Sequence, residues 1–501
     1  MTRYNHLITD DNRKWWTLGA MCFALFMIML DNTVVNVALP SIQKDLGASI
    51  SGLEWTINGY TLSFAVLLAT GGRLGDIFGR RRMFLFGVVI FTLSSATAGF
   101  APDATSLVIS RIVQGVGAAL MMPATLSIIT DAFPASERGK AMGMWAGVSA
   151  LALAVGPVLG GFLTEHVSWR AIFYLNIPVA IGAVTAALFA VRESRDTSVG
   201  REVDYAGVAA LTGGLTALIL ALVEGNSWGW GSTGIVALLA GAVLGLAAFV
   251  AIERRVKVPM VDFSLLSDRN FLGAVVVALI VSFSMLGVFF FLALYMQDIL
   301  RYSPLEAGVR FLPSTLMIVG VAPVAGRLSD RYGPRWLIAG GLTIVAASLY
   351  SFSGIAVDSG YLDLLPGFML LGIGIAMTMS PMTSAAMNAV PVQKAGVASG
   401  VLSMFRMVGG SLGVAVTGAI FQARVGASFE AASPRQFVDA LGFAMMVCAG
   451  VALFGAAVGA VAIRAKKNNG EHQLTVEAAE ANVNPGGSAV AARETELQTV
   501  S

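Results

Sequence analysis

Long apolar runs, each closed by a short polar break, fill the chain from residue 15 to residue 463. About 20 apolar residues in a helix cross the hydrocarbon core of a bilayer. Fourteen runs reach that length: 15–39, 54–72, 83–101, 105–129, 139–163, 170–191, 205–223, 233–252, 271–297, 304–326, 335–354, 361–386, 396–421 and 440–463. Each predicts a transmembrane helix, and an even number places both termini on one side. The first run follows Arg13 and Lys14 and is too long for the apolar core of a cleaved signal peptide, so it reads as a retained helix. Beyond about residue 465 the pattern turns polar and aperiodic, which predicts a disordered tail.

The polar breaks carry most of the charge, and their sign sets the expected orientation. If the termini are cytoplasmic, the inner segments hold roughly 24 of the 32 basic residues, including Arg80, Arg81 and Arg82, then Arg192, Arg195 and Arg201, then Arg254, Arg255 and Lys257, then Lys466 and Lys467. The outer breaks hold only Lys44, Arg170, Arg301, Arg424 and Arg435. Arg111, Arg310 and Arg406 fall inside apolar runs.

One break recurs. Gly72-Arg-Leu-Gly-Asp76-Ile-Phe-Gly79-Arg80-Arg81-Arg82 joins the second and third runs, and Gly326-Arg-Leu-Ser-Asp330-Arg331-Tyr-Gly-Pro-Arg335 returns 254 residues later. An internal repeat in a chain of many spans is the signature of a two-halved transporter. The register matches only if the runs at 205–223 and 233–252 are an insertion. The expected organisation is a cytoplasmic N-terminus (1–14), a six-helix half (15–191), two inserted helices with cytoplasmic flanks (192–270), a second six-helix half (271–463) and a cytoplasmic tail (464–501).

Ionisable residues at membrane depth are functional candidates. Asp31 lies about 14 Å below Pro40, and Arg111 lies about 12 Å in from Asp103, so opposite charges share a depth. A common water-filled cavity is expected, in which Asp31 exchanges a proton and Arg111 favours its carboxylate; a static ion pair is the alternative. Gln114 stands one turn from Arg111 and could bond substrate or a neighbouring helix. Arg406 has no neutralising partner on its own helix, while Arg310 has Glu306 at i−4. Gly156, Pro157, Gly160 and Gly161 form a kinked, smooth stretch that suits either close helix contact or a hinge. Asn36, Gln114, Phe290, Tyr295, Arg310 and Arg406 are the candidate cavity residues; of the run Phe289-Phe290-Phe291, some rings are expected to face lipid.

Composition sharpens the class. Charged residues make up 12% of the chain and apolar ones 56%, with a mean hydropathy of +0.76. A soluble domain carries about 25% charged residues, so an integral membrane protein is expected, and the basic residues are topological rather than nucleic-acid binding. Cys22 and Cys448 lie in apolar runs and form no metal or disulfide spacing. There is no phosphate-binding G-x-x-x-x-G-K-[ST] loop, H-E-x-x-H or G-x-S-x-G, which argues against an ATP-driven pump or a membrane hydrolase.

Several of these stretches together resemble the fourteen-helix drug:proton antiporters of the major facilitator superfamily. The resemblance covers about residues 15–463. The loop motif is similar at Gly72, Leu74, Asp76, Gly79, Arg80 and Arg81, with Ile77 where a basic residue is usual; Arg331 keeps it in the second copy. Leu30-Asp31-x-Thr33-Val34-Val35-Asn36-Val37-Ala38-Leu39-Pro40 resembles the first-helix motif, and Arg111 through Gly117 the fourth. Gly156-Pro157-x-x-Gly160-Gly161 resembles the antiporter motif, with Ala152 at its earlier small position. Trp169-Arg170-x-x-Phe173-x-x-Asn176-x-Pro178 and Ser303-Pro304-Leu305-x-Ala307-Gly308 are also similar.

The resemblance implies an all-α integral membrane protein with the major facilitator fold, in a bacterial cytoplasmic membrane. It implies a proton-coupled antiporter that exports hydrophobic or amphipathic small molecules by alternating access, and not an enzyme. Asp31 and Arg111 would carry coupling. Gly72, Asp76, Gly79, Arg80, Arg81, Asp330 and Arg331 would form a conformational latch, and Gly156, Pro157, Gly160 and Gly161 the antiporter hinge. Partners would be a small-molecule substrate, protons and the bilayer, with no nucleic acid; the proton gradient would replace any cofactor, and a monomer is expected. An uptake symporter of the same fold and an exporter of a single endogenous metabolite are the alternatives.

Overall fold

The computed structural model describes residues 9–195, 202–256, 259–391, 394–425 and 433–464. Arg201, Lys257, Lys466, Lys467 and the expected tail from residue 465 onward lie outside the described residues.

Among the described residues, fourteen helices are long and apolar enough to cross a membrane: α1 (Asn12–Leu46), α2 (Ile50–Phe78), α3 (Arg80–Gly99), α4 (Ala104–Ala132), α5 (Ser136–His166), α6 (Ala171–Ala190), α7 (Tyr205–Trp228), α8 (Thr233–Glu253), α9 (Arg269–Ile299), α10 (Pro304–Tyr332), α11 (Pro334–Ser353), α12 (Tyr361–Asn388), α13 (Ala395–Val425) and α14 (Pro434–Ala462). Their ends follow local chemistry. Ser49 and Asp103 cap α2 and α4, accepting from the amides of Gly52 (3.1 Å) and Ser106 (2.8 Å). Ser303 with Glu306, and Ser433 with Gln436, form reciprocal capping boxes at the starts of α10 and α14. Phe311, just before Pro313, breaks α10, since proline supplies no amide to the helix.

The loop repeat is a repeat of geometry. Gly79 and Gly333 both have positive φ (111° and 84°) and return their amides to Gly75 (3.0 Å) and Ser329 (2.9 Å). Each turns the chain through one residue from a long helix into the next. Gly79→Ala is expected to lower thermal stability by about 1–3 kcal/mol, because a side chain there is strained and would meet the Glu193 carboxylate at 2.5 Å; unchanged thermal unfolding of the variant would contradict this.

The helix pairings repeat as well. α1–α5, α2–α4, α3–α4 and α1–α6 recur as α9–α13, α10–α12, α11–α12 and α9–α14. Two bundles of like design therefore lie side by side. α7 and α8 pair with each other, and α7 rests on α2 of one bundle and α13 of the other.

The bundles touch closely on the side away from the repeated loops. There Gly161 abuts Pro304 and Leu305, and Gly308 abuts Pro157. Gln297 donates to the Val37 carbonyl at 2.8 Å, and the Leu305 amide donates to Glu165 at 2.9 Å. On the loop side the bundles part. Gly139, Gly143 and Gly147 of α5 and Gly396 and Gly400 of α13 face open space.

α9 is the most enclosed helix, at the centre of the second bundle. Phe289, Phe290 and Phe291 are 7%, 0% and 0% exposed, so none faces lipid, contrary to the sequence expectation. Neighbours surround α9 on every side, and the triplet joins an aromatic cluster with Phe311, Phe421 and Phe437.

Candidate functional site

The first bundle holds a closed polar cluster at depth. Asp31 on α1 stands about 22 Å of helix from Leu46. Its Oδ2 pairs directly with Nη1 of Arg111 on α4. Its Oδ1 accepts from Gln114 Nε2 at 2.8 Å and from Asn176 Nδ2, on α6, at 3.4 Å. Arg111 Nη1 also donates to Gln114 Oε1 at 2.7 Å, and its Nε donates to the Thr56 carbonyl of α2 at 3.1 Å. The guanidinium lies 4.3 Å from the Tyr60 ring centre and 5.8 Å from that of Phe173. Asn176 in turn donates to Ser95 Oγ at 2.9 Å, and Ser95 donates to the Phe173 carbonyl at 2.9 Å.

Asp31 and Arg111 are each 1% exposed. The expected open, water-filled setting is thus corrected: in this conformation the two side chains form an enclosed pair. The physical reason is that the Tyr60 and Phe173 rings close over the guanidinium, while Gln114 and Asn176 occupy the remaining acceptor oxygen. Breaking such a pair from one side leaves an uncompensated buried charge, at a cost of about 3–5 kcal/mol. Protonation of Asp31 would therefore have to rearrange α1 against α4 or admit water. Sequence reasoning placed Asn176 in a motif without a role and passed over Thr56, Tyr60 and Ser95. Polar residues inside the runs were the available signal, but their convergence depends on how each helix is rotated.

The hinge glycines sit where three helices meet. A Cβ on Gly160 would stand 2.7 Å from Val34 Cγ2, and one on Gly156 would overlap Thr33. These glycines bring α5 against α1, while Gly161 brings it against α10 of the other bundle. Pro157 lines a narrow cleft with Thr33, Asn36, Leu153, Phe289 and Phe311. Asn36 is thus at the seam between bundles, its Nδ2 bonded to the Asn32 carbonyl at 3.0 Å.

Asp76, Arg80 and Arg81 of the first copy bond within their own bundle and its flank in this conformation. Asp76 Oδ1 accepts from Arg80 Nε (3.1 Å) and Nη2 (3.0 Å), and Arg80 Nη1 reaches Asp131 on α4 at 2.6 Å. The Arg81 amide donates to Glu193, and its guanidinium to the Leu188 carbonyl at 2.8 Å. Gly72 packs on Pro123. In the second copy, Arg331 lies over the Tyr332 ring at 5.2 Å, and Asp330 makes a polar interaction of its own.

Between the parted loop-side ends is a cavity of about 540 Å³. Leu68, Met122, Pro123, Leu126 and Val397 give it apolar walls, and Arg73, Asp76 and Arg80 mark its mouth. The flanks of the inserted helices cross it. The Glu202 carbonyl accepts from Arg73 Nε at 3.2 Å, and Asp262 pairs with Lys394 at 2.7 Å. The Lys394 hydrogen bond, followed by that of Ser264, holds the Asp262 carboxyl below its ordinary value. This pair is half-exposed, so Lys394→Ala is expected to change stability by no more than about 1 kcal/mol, an effect that vanishes at high salt; a larger, salt-independent loss in thermal unfolding would contradict that.

Of the other cavity candidates, Arg406 is half-buried and makes no hydrogen bond or ion pair among the described residues; its Nε is enclosed without a partner. Arg310 pairs with Glu306 at 3.7 Å and stacks on Tyr302 at 3.7 Å, near the closed side. Phe290 and Tyr295 do not line the cavity. Phe290 packs on Phe291 at 4.8 Å, and Tyr295 donates to the Ala356 carbonyl at 2.6 Å, because α9 turns that face into its own bundle.

Two like bundles of membrane helices, an enclosed ion pair at depth and a cavity open to one side are the build of a multi-pass membrane transporter. The sequence profile of the Major Facilitator Superfamily matches residues 21–414. The tetracenomycin C resistance and export protein of Streptomyces glaucescens is 37% identical over 417 residues, covering 83% of this chain and 78% of that protein. The puromycin resistance protein of Streptomyces alboniger is 42% identical over 411 residues, 81% of each. The crystal structure of an autoinhibited peptide transporter of the POT family superposes with a TM-score of 0.66 over 91% of this chain and 98% of that one, at 16% identity, a likeness of fold alone. The chain belongs to the Major Facilitator Superfamily, among proteins of antibiotic resistance and export, and is a multi-pass protein of the bacterial cytoplasmic membrane.

Proposed function

We propose that this protein is a proton-coupled antiporter that exports amphipathic small molecules, and that the conformation described is the one open to the cytoplasm. The enclosed Asp31–Arg111–Gln114 cluster carries the reading. A carboxylate held at depth by one cation can trade that cation for a proton, and the exchange alters how α1 sits on α4. The basic loops support cytoplasmic termini, which puts the parted ends and the cavity on the cytoplasmic side. Substrate would enter there, and the seam at Gly161 and Gly308 would be the outer gate. Asp76, released from any contact across the bundles, would latch them when the inner side closes. Driven by the proton gradient, the cycle needs no cofactor, and because both halves of the pathway lie in one chain, a monomer suffices.

The cavity's chemistry argues for the substrate class. Leu68, Met122, Pro123, Leu126 and Val397 give it apolar walls, and its carboxylates are already engaged in part, Asp76 with Arg80 and Asp204 with the Gly207 amide, while the Asp31 charge, outside the lining, is spent on Arg111. Neutral, amphipathic or singly charged compounds fit best; a dication would have to compete for carboxylates that already have partners. The names of the relatives, which specify tetracenomycin C and puromycin, make those two antibiotics the first choices for trial. The test is proton release from inverted membrane vesicles with an acid interior. Addition of a substrate is expected to collapse the pH gradient in the parent, while a dicationic dye does not. A parent that exports the dye efficiently, with no proton movement, would overturn the reading.

A further inference from the structure

Glu54 is an ionisable side chain that the coupling cluster does not use. It lies on α2, about 6 Å of helix from Ile50, and is 0% exposed. It faces the other bundle. Its Oε1 accepts from Gln422 Nε2 of α13 at 3.1 Å, and its Oε2 is enclosed without a hydrogen-bond partner. Gly418 makes the space: a Cβ there would stand 2.5 Å from the Glu54 carboxyl carbon. About two turns deeper, Thr61 and Ser411 bond across the same seam at 2.5 Å. Glu54 is therefore sealed into the closed outer contact between α2 and α13.

The charged groups on the packed elements do not neutralise it. On α13, Arg424 lies over the Phe443 ring at 3.7 Å. On α7, Glu224 bonds Ser227 at 2.7 Å and brings a like charge toward the seam. On α4, Arg111 is committed to Asp31 on α1, with its Nε on the Thr56 carbonyl. The basic residues of α3, Arg80, Arg81 and Arg82, are at its far end. A carboxylate shut in with a single neutral amide donor is costly, whereas a carboxylic acid in the same place is not.

We infer that Glu54 is a gating proton site: it carries a proton while the outer seam is closed and gives it up to the outer solution when α2 and α13 part. Closing then takes up one proton from outside. By linkage, one proton per transition shifts the closed-to-open ratio by up to tenfold for each pH unit. An acid exterior thus returns the emptied carrier to its inward-facing form. The inference rests on alternating access with this seam as the outer gate, but it does not require substrate or antiport.

The test uses the full-length protein in lipid nanodiscs without substrate. Distance-reporting labels are placed at Val167→Cys and Val357→Cys, in a background lacking Cys22 and Cys448. The closed fraction is expected to rise as pH falls from 8 to 5, by up to tenfold in ratio per unit. Glu54→Gln is expected to be closed throughout and to lose this dependence. Gln422→Lys offers a second variant: a cation facing the carboxylate allows closure without a proton, again flattening the profile. A Glu54→Gln variant with the parental pH profile would overturn the assignment, as would a parent whose seam ignores pH or a Gln422→Lys variant that leaves the profile intact. Because the readout is a distance, a protein that fails to move protons against substrate can still pass or fail here independently.

Discussion

Asp31→Asn is expected to abolish substrate-driven proton release while leaving the protein in the membrane. Asparagine keeps the size and can still accept from Gln114, but it cannot neutralise Arg111, whose guanidinium is enclosed by Tyr60, Phe173 and Gln114. The variant should lose about 3–5 kcal/mol of stability, as expected for a buried charge left without its partner, and show this as a lower thermal midpoint. The double variant Asp31→Asn with Arg111→Gln removes the stranded charge and should recover most of that loss. It should not recover coupling, because no group remains at that depth to exchange a proton against a cation. The comparison separates a structural pair from a coupling one. Vesicles carrying Asp31→Asn that release protons at the parental rate would take Asp31 out of the mechanism. Recovery of proton release by the double variant would reduce the pair to packing.

The second large effect is expected at the outer seam. Gly308→Val puts a branched side chain against the Pro157 carbonyl, with Val158 Cα at 3.3 Å, and no rotamer avoids backbone on the facing helix. Overpacking of this kind costs about 1–3 kcal/mol, and it is felt only when α5 and α10 are in contact. Since 1.4 kcal/mol is tenfold in a ratio, the population should move toward the outward-open form by roughly five- to a hundredfold. A cysteine at Val37, which is 1% exposed and lies beside Gln297 in this conformation, reports the change. Its reaction with a membrane-impermeant thiol reagent added outside should quicken in the Gly308→Val background. Transport should fall, because the carrier cannot return. An unchanged rate would mean that this contact is not the gate. Gly147→Val makes a control, since it faces open space on the loop side.

Much of the polar cluster was legible, though not its shape. Asp31, Arg111 and Gln114 stood out because charged and amide groups are rare in apolar runs and their depths agreed. Asn176 stood out only as part of a motif, since a neutral amide near the start of an apolar run carries no charge to mark it. Glu54 was hidden by a boundary. The apolar run of α2 starts at Glu54 by hydropathy, which puts the residue at the helix end and in water; the helix starts at Ile50, capped by Ser49, and Glu54 falls one turn inside. Four residues of helix turned a surface acid into a buried one.

The alternation of apolar runs and basic breaks determined by itself that the chain crosses a membrane many times, and the loop repeat determined that it does so in two like halves around an inserted pair. These are properties of whole segments, and hydrocarbon enforces them wherever the segments end up. Tertiary structure alone decided which side chains meet. The rotation of α1, α4 and α6 brings Asp31, Arg111 and Asn176 to one point, and the central place of α9 buries three consecutive phenylalanines that a lone helix would spread around its circumference. It also decided which side is closed, because the close approach of Gly161 to Pro304 and of Glu54 to Gln422 involves residues more than a hundred positions apart. Two packings of the same helices differ by only a few kcal/mol in a protein that alternates between them, a difference that resides in contacts between the halves and not in the hydropathy of either.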